Sequence, residues 1–293
     1  MLFRSQDIAL KHNTRDARDI LERASARDTV ARTAAGALCR LLLREFGIEC
    51  FGYVRSLGGV ESASLAQNPE LKTQNLRASR DSSLFYTLSS STDDTMKAAV
   101  DKAKADGDTL GGIIEAVVFN CPPGLGSHTQ WDRKLDGQLA QAVMSVQAIK
   151  SVEIGLGREA AGLRGSQVHD AAKIAEDLSN PNNPVRYTRL SNNAGGLEAG
   201  ITNGQPILVR AAMKPISTLM QPLATVDIES NRDAQASRER GDVCAVPAAS
   251  VVIENVIAAP VARVFMEKFG GDSLTETKRN FEGYLEQLRR FSQ

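Results

Sequence analysis

"ERASARDTVARTAAGAL", residues 22–38, decides how the rest of the chain is read. Ser25 is a good N-cap residue, because its hydroxyl can accept from a backbone amide one turn on, and Asp28 is a shorter form of the reciprocal capping partner. The pattern predicts a helix that begins at Ser25. Ala31, Ala34, Ala35, Gly36 and Ala37 have little bulk, so another backbone or a flat ligand can come close to this helix. Its first turn offers free backbone amides and the positive end of the helix dipole, and Arg23 and Arg27 flank that point with guanidinium forks suited to phosphate or carboxylate. Two readings stay open: an anion site, or a capped amphipathic helix with solvated arginines.

Around this stretch, 293 residues with 42% hydrophobic content are enough for a full core, and a single domain is the simpler expectation. The 35 basic and 35 acidic residues cancel, so no global field draws the chain to nucleic acid or an anionic membrane, and any anion must be held locally. Cys39, Cys50, Cys121 and Cys244 have no paired spacing, which points away from zinc and disulfides and toward a reducing, cytoplasmic setting. The most apolar run, residues 244–265, contains Glu254, Arg263 and two prolines and is not read as a membrane span.

Residues 15–46 are helical by pattern, in two pieces, with Gly47 placed to end the second. "IECFGYV" reads as a strand, residues 61–95 as a polar surface excursion, and residues 96–105 as a charged helix. "GGIIEAVVF" is a buried strand; Leu135, Leu139, Val143, Val146 and Ile149 then recur at helical spacing and lead into the strand "KSVEIGLG". Two strands flank the glycine-rich loop "NNAGGLEAG", and the tail is two helices, the second opened by the capping pair Ser273 and Glu276. Irregular alternation favours a mixed sheet with layered helices over a doubly wound one.

Two further segments can carry chemistry. "MKPIST" follows an apolar strand and places the Lys214 ammonium, the rigid Pro215 and the hydroxyls of Ser217 and Thr218 within one short span, a set that suits an anion or a polar ring edge, or an ordinary strand-ending turn. "RERGDVCAVP" sets Asp242 near Arg240, where a carboxylate can accept a proton while the arginine orients a ligand, or simply serve a turn. "NNAGGLEAG" lacks the dinucleotide spacing, and there is no phosphate-loop lysine motif or nucleophile elbow.

In this order, "RASARDT…AAGAL", "WDRKLDGQLAQAVMSVQAIKSVEIG", "NAGGLEAGITNGQPILVRAAMKPIST", "RGDVCAVPA" and "EKFGGDSL" resemble the blocks of the chorismate synthase family over nearly the whole chain. The resemblance implies an α+β fold in which helices are sandwiched between antiparallel sheets, incomplete at the N-terminus. It implies a carbon–oxygen lyase of the shikimate pathway that eliminates phosphate from 5-enolpyruvylshikimate 3-phosphate, giving chorismate without net redox change. Reduced FMN would be the cofactor, NADPH a candidate reductant, and a homotetramer the assembly, with no nucleic acid or membrane partner. Carried over by position, the flavin contacts are Arg23, Ala24, Ser25, Gln147, Ala148, Ala199, Lys214, Pro215, Ile216, Ser217, Thr218 and Arg240. Asp242 matches the acid that assists proton removal, and Arg27 is assigned to substrate.

The resemblance also implies departures. Two histidine-bearing motifs that open family members are not found here; the chain starts inside the second, with Phe3 at its histidine, and His12 falls at a usual tyrosine. Ala199 and Gly241 replace a glycine and a serine or histidine, and Asn193 replaces an arginine. Pro260 is expected to interrupt a helix. A second expectation is therefore a catalytically impaired member that acts as a flavin-binding or assembly protein, and a third is a chain active only when the absent segment is supplied.

Overall fold

The computed structural model describes residues 6–15, 26–65, 73–175, 180–227, 230–236, 238 and 241–292. In chain order the helices are α1 (Gln6–His12), α2 (Asp28–Arg44), α3 (Thr73–Ser82), α4 (Asp93–Ala105), α5 (Leu135–Met144), α6 (Val246–Val256), α7 (Ala258–Phe269) and α8 (Leu274–Phe291). The strands are β1 (Glu49–Leu57), β2 (Val60–Glu61), β3 (Gly112–Phe119), β4 (Ile149–Ile154), β5 (Ala172–Ile174), β6 (Tyr187–Arg189), β7 (Leu197–Glu198), β8 (Ile201–Thr202), β9 (Ile207–Met213), β10 (Ala224–Asp227) and β11 (Arg232–Gln235).

Five strands form one sheet in the order β2-β1-β3-β9-β4, and the remaining six form three two-stranded ribbons. Every strand pairing in the sheet is antiparallel, as the family resemblance implies and against the mixed sheet that the alternation of elements suggests. The reason lies in the connection: α4 returns the chain to the end where β1 finishes, and the Gly58 amide donates to the Gly111 carbonyl at 2.9 Å, so β3 must run back along β1. Cross-strand partners then set Tyr53, Glu115, Arg210 and Glu153 in one row across four strands. The Tyr53 hydroxyl donates to Glu115, and Arg210 bridges Glu115 at 3.0 Å and Glu153 at 3.1 Å, so the buried Glu115 carboxylate is paired.

The other sheet face packs against α2, α5 and α6, and α7 lies against those three helices. Glycines permit the tightest approaches: a Cβ on Gly36 would lie 2.1 Å from the Asn255 carbonyl oxygen of α6, and one on Gly52 of β1 would lie 2.5 Å from that of Ser250. α8 docks through Phe281 and Leu285 onto an aromatic group of Phe46, Phe265 and Phe269, with ring centroids 4.5–5.5 Å apart. Residues 246–269 are apolar and long enough to cross a membrane by composition, yet most of that run is buried here in the core.

Several sequence expectations hold. Gly47 follows α2 at φ +70° with its amide on the Arg44 carbonyl, and the Ser273 hydroxyl accepts from the Glu276 amide. Others change. α2 begins at Asp28, after a turn at Ala26 and Arg27; the capping assignment to Ser25 lies outside the described residues. The tail contains three helices, because the chain breaks at Ile257, and Pro260 falls in the first turn of α7, where a missing amide costs no intrahelical bond.

The supposed surface excursion also contains α3, which is bound to the core. Its Arg77 and Arg80 take the carbonyls of Cys50 and Gly52, which β1 points away from β3, and both guanidinium groups lie over the Phe51 ring. The same two arginines, with Arg40 of α2, converge on Glu254, which is 2% exposed and also accepts from the Gly52 amide at 3.0 Å.

Candidate functional site

The turn at residues 107–111, between α4 and β3, ties together two loops far apart in sequence. The Gly107 carbonyl accepts from the Met220 amide at 3.1 Å, the Thr109 hydroxyl donates to the Ile216 carbonyl at 2.6 Å, and the Leu110 amide donates to the Val243 carbonyl at 2.8 Å. Lys214, Pro215, Ile216, Ser217 and Thr218 therefore run beside Gly241 and Asp242. A Cβ on Gly241 would come 2.8 Å from the Thr218 hydroxyl oxygen, so the two loops lie in close contact here.

β9 ends where it does because Pro215 has no amide to extend the ladder. The last backbone bond at this end runs from the Lys214 amide to the Ala148 carbonyl at 2.9 Å. Ala148 has φ +68°, a left-handed conformation uncommon for alanine, and it turns the chain sharply from α5 into β4. Arg32 of α2 clamps this corner from the other side, donating to the carbonyls of Ala142 and Ser145 at 2.8 and 3.1 Å and to the Ser145 hydroxyl at 2.9 Å. The start of α2, with Arg27 at its N-cap position, is thereby fixed next to Gln147 and Ala148.

Chemically the corner is rich in donors. Lys214 is exposed, Ser217 and Thr218 are half-buried, and the amides of Ile216, Ser217 and Thr218 make no hydrogen bond among the described residues. Asp242 is exposed on the adjoining loop. A cation, two hydroxyls and a run of open amides beside a glycine crossing suit an anionic group attached to a flat polar ring, which is what a flavin nucleotide offers.

Ala199 is not part of this corner. It sits at φ +53° in the β7–β8 turn, and the Leu135 amide donates to the neighbouring Gly200 carbonyl at 2.9 Å, tying that turn to the start of α5. Gln147 follows the other end of α5, roughly 15 Å along the helix axis. Arg23, Ala24, Ser25 and Arg240 lie outside the described residues. A cavity of about 210 Å³ opens elsewhere, lined by Asn120, Asn180, Asn183, Tyr187, Thr188 and Gln205. It has amides but no cation or carboxylate, so the donor-rich corner is the better candidate for a phosphorylated acid.

Sequence reasoning missed Arg32 and the turn at residues 107–111. Arg32 finds its partners 110 and 113 residues away, which no local pattern announces. The turn did carry a signal, the glycines of "GDTLGG" directly before a strand.

Comparison with known proteins fits this geometry. A family model described as chorismate synthase matches residues 6–266. The chorismate synthase of Geotalea daltonii is 52% identical over 97% of this chain and 71% of its own length. That of Geobacter sulfurreducens is 50% identical with the same coverage, and that of Brevibacillus brevis is 49% identical over 97% of this chain and 70% of its own. A crystal structure of a chorismate synthase superposes with a TM-score of 0.82 at 44% sequence identity, covering 98% of this chain and 77% of that one.

Proposed function

Because the chain belongs to the chorismate synthase family and has its α+β fold, we propose that it is a carbon–oxygen lyase that eliminates phosphate from 5-enolpyruvylshikimate 3-phosphate to give chorismate, using reduced FMN. The observation that supports this reading is the convergence of Gln147, Ala148, Lys214, Pro215, Ile216, Ser217, Thr218 and Asp242 on one corner, tied by the turn at residues 107–111. The described residues fit a flavin nucleotide, and Arg23, Ala24, Ser25 and Arg240 are assigned to the same group by position in the family.

Bound reduced flavin would supply an electron-rich ring beside the reacting allylic system, for a reaction with no net redox change. The chain's own groups do the rest. Lys214 and the open amides of Ile216, Ser217 and Thr218 would hold the cofactor through its anionic and polar groups. Arg27 reaches from the start of α2 and binds the substrate, where its fixed positive charge stabilises the negative charge gathering on the departing phosphate. Asp242 accepts the proton lost in the elimination, from a loop whose position the Leu110–Val243 bond fixes. Ala199, a helix length away, joins such a site from a neighbouring copy, in keeping with the homotetramer expected of the family. We assign the chain to a single domain and to the cytoplasm.

Anaerobic incubation with 5-enolpyruvylshikimate 3-phosphate and reduced FMN tests the proposal. Equimolar chorismate and phosphate are expected; folded, flavin-loaded protein that releases neither would overturn it.

A further inference from the structure

The segment from Lys214 to Met220 is held at three points. The Lys214 amide donates to the Ala148 carbonyl at 2.9 Å, the Ile216 carbonyl accepts from the Thr109 hydroxyl at 2.6 Å, and the Met220 amide donates to the Gly107 carbonyl at 3.1 Å. Of these three bonds, the middle one alone depends on a side chain. Thr109 is 7% exposed, and its hydroxyl is the one donor that the Ile216 carbonyl meets among the described residues. The turn that carries it lies close under the segment: a Cβ on Gly111 would come 2.4 Å from the Met213 carbonyl oxygen and 3.0 Å from the Pro215 ring. The hydroxyl therefore reaches its carbonyl from a fixed base.

A peptide unit is planar and trans, so its carbonyl and its amide point in opposite directions. With the Ile216 carbonyl turned to Thr109, the Ser217 amide is turned away from the buried turn. That amide and the Thr218 amide make no hydrogen bond among the described residues, whereas those of Lys214 and Met220 are both taken. Without the Thr109 bond, the plane between Ile216 and Ser217 can rotate about its soft flanking dihedrals and aim its donor elsewhere.

We propose that Thr109 is a positioning residue for the cofactor: its hydroxyl holds the peptide plane between Ile216 and Ser217 so that the Ser217 amide donates to a polar or anionic group of the flavin nucleotide. The inference rests on the reading of this corner as the flavin site. Thr109 acts through Ile216 and Ser217, and its contribution is preorganisation, because a donor fixed in advance loses less freedom when the ligand arrives. The bond matters less to folding, since Ile216 is half-buried and water can take the place of a lost hydroxyl.

Thr109→Val keeps the side-chain shape and removes the donor. In an anaerobic FMN titration it should bind about tenfold more weakly, the loss of one well-aimed donor to a charged or polar partner, while circular dichroism and the Tm of the unliganded protein stay close to wild type. Thr109→Ser, which keeps the hydroxyl, should restore the affinity. In protein carrying isotope-labelled serine, the Ser217 amide proton should move downfield on FMN binding in wild type and in Thr109→Ser, and should stay in place in Thr109→Val, a signature that a merely structural threonine would not produce. A Ser217 amide that FMN leaves unmoved in wild type, equal affinity of wild type and Thr109→Val, or a Thr109→Ser variant as weak as Thr109→Val would each overturn the inference and leave the flavin site standing. Wild-type protein that binds no FMN would overturn both.

Discussion

Replacing Glu254 by alanine removes one carboxylate and leaves three guanidinium groups and the Gly52 amide facing a site that is 2% exposed. Breaking a buried ion pair from one side costs about 3–5 kcal/mol. The lower end applies here, for a reason visible in the contacts. Arg77 is 36% exposed and can turn to water, and each arginine keeps another acceptor: the Cys50 carbonyl for Arg77, the Gly52 carbonyl for Arg80 and Asn255 for Arg40. Arg40 and Arg80, at 20% and 10% exposure, cannot escape so easily. The expected loss is about 3 kcal/mol, a fall in Tm of roughly 6–12 °C for a domain of this size class. Differential scanning calorimetry and urea titration would measure it. Glu254→Gln, which keeps the shape and one acceptor oxygen, should lose less. A loss below about 1 kcal/mol for Glu254→Ala would refute the view that this carboxylate holds α2, α3, α6 and β1 together.

Other consequences follow from single contacts. Gly36→Ala forces a methyl against the Asn255 backbone and should cost about 1–3 kcal/mol in a denaturant titration. Burial alone would raise the Asp170 carboxyl, but hydrogen bonds from Ser191, Ala194 and Asn193, with Arg189 nearby, outweigh it and hold the group below the usual carboxylate range. Its stabilisation is therefore complete above the unfolded value of about 3.9 and is lost as pH falls through the lower folded one, so the stability gap between wild type and Asp170→Asn should shrink on acidification below about pH 5. Burial pushes the Cys50 thiol up to about 12, so native protein at pH 8 should alkylate at the partly exposed Cys39 before Cys50 by mass spectrometry.

The parts of this fold that were legible in the sequence are those whose signal is local. Strands β1 and β3 announce themselves by apolar runs, α5 by its 3.6-residue period, and α8 by its capping pair, because each depends on residues a few positions apart. α3 did not, since Arg77 and Arg80 make it a polar helix whose burial depends on a glutamate 177 and 174 positions away. The alternation of elements hid strand direction for the same reason, since direction is set by where α4 returns the chain, and only the family resemblance implied an antiparallel sheet. At the site, residue types in "MKPIST" and around Asp242 pointed to an anion, but only the hydrogen bonds of the turn at residues 107–111 bring those segments together. Ala199 shows the converse, a positional match that the fold of one copy carries to the far end of α5.

The central claim is that one corner, anchored by Lys214, grips the flavin. Titrating FMN into the protein under anaerobic, reducing conditions and following flavin fluorescence addresses it without requiring turnover. Lys214→Ala should bind at least tenfold more weakly, as expected for a lost charge-assisted hydrogen bond of about 1.5–3 kcal/mol, while circular dichroism stays unchanged. Equal affinity in the two proteins would contradict the claim.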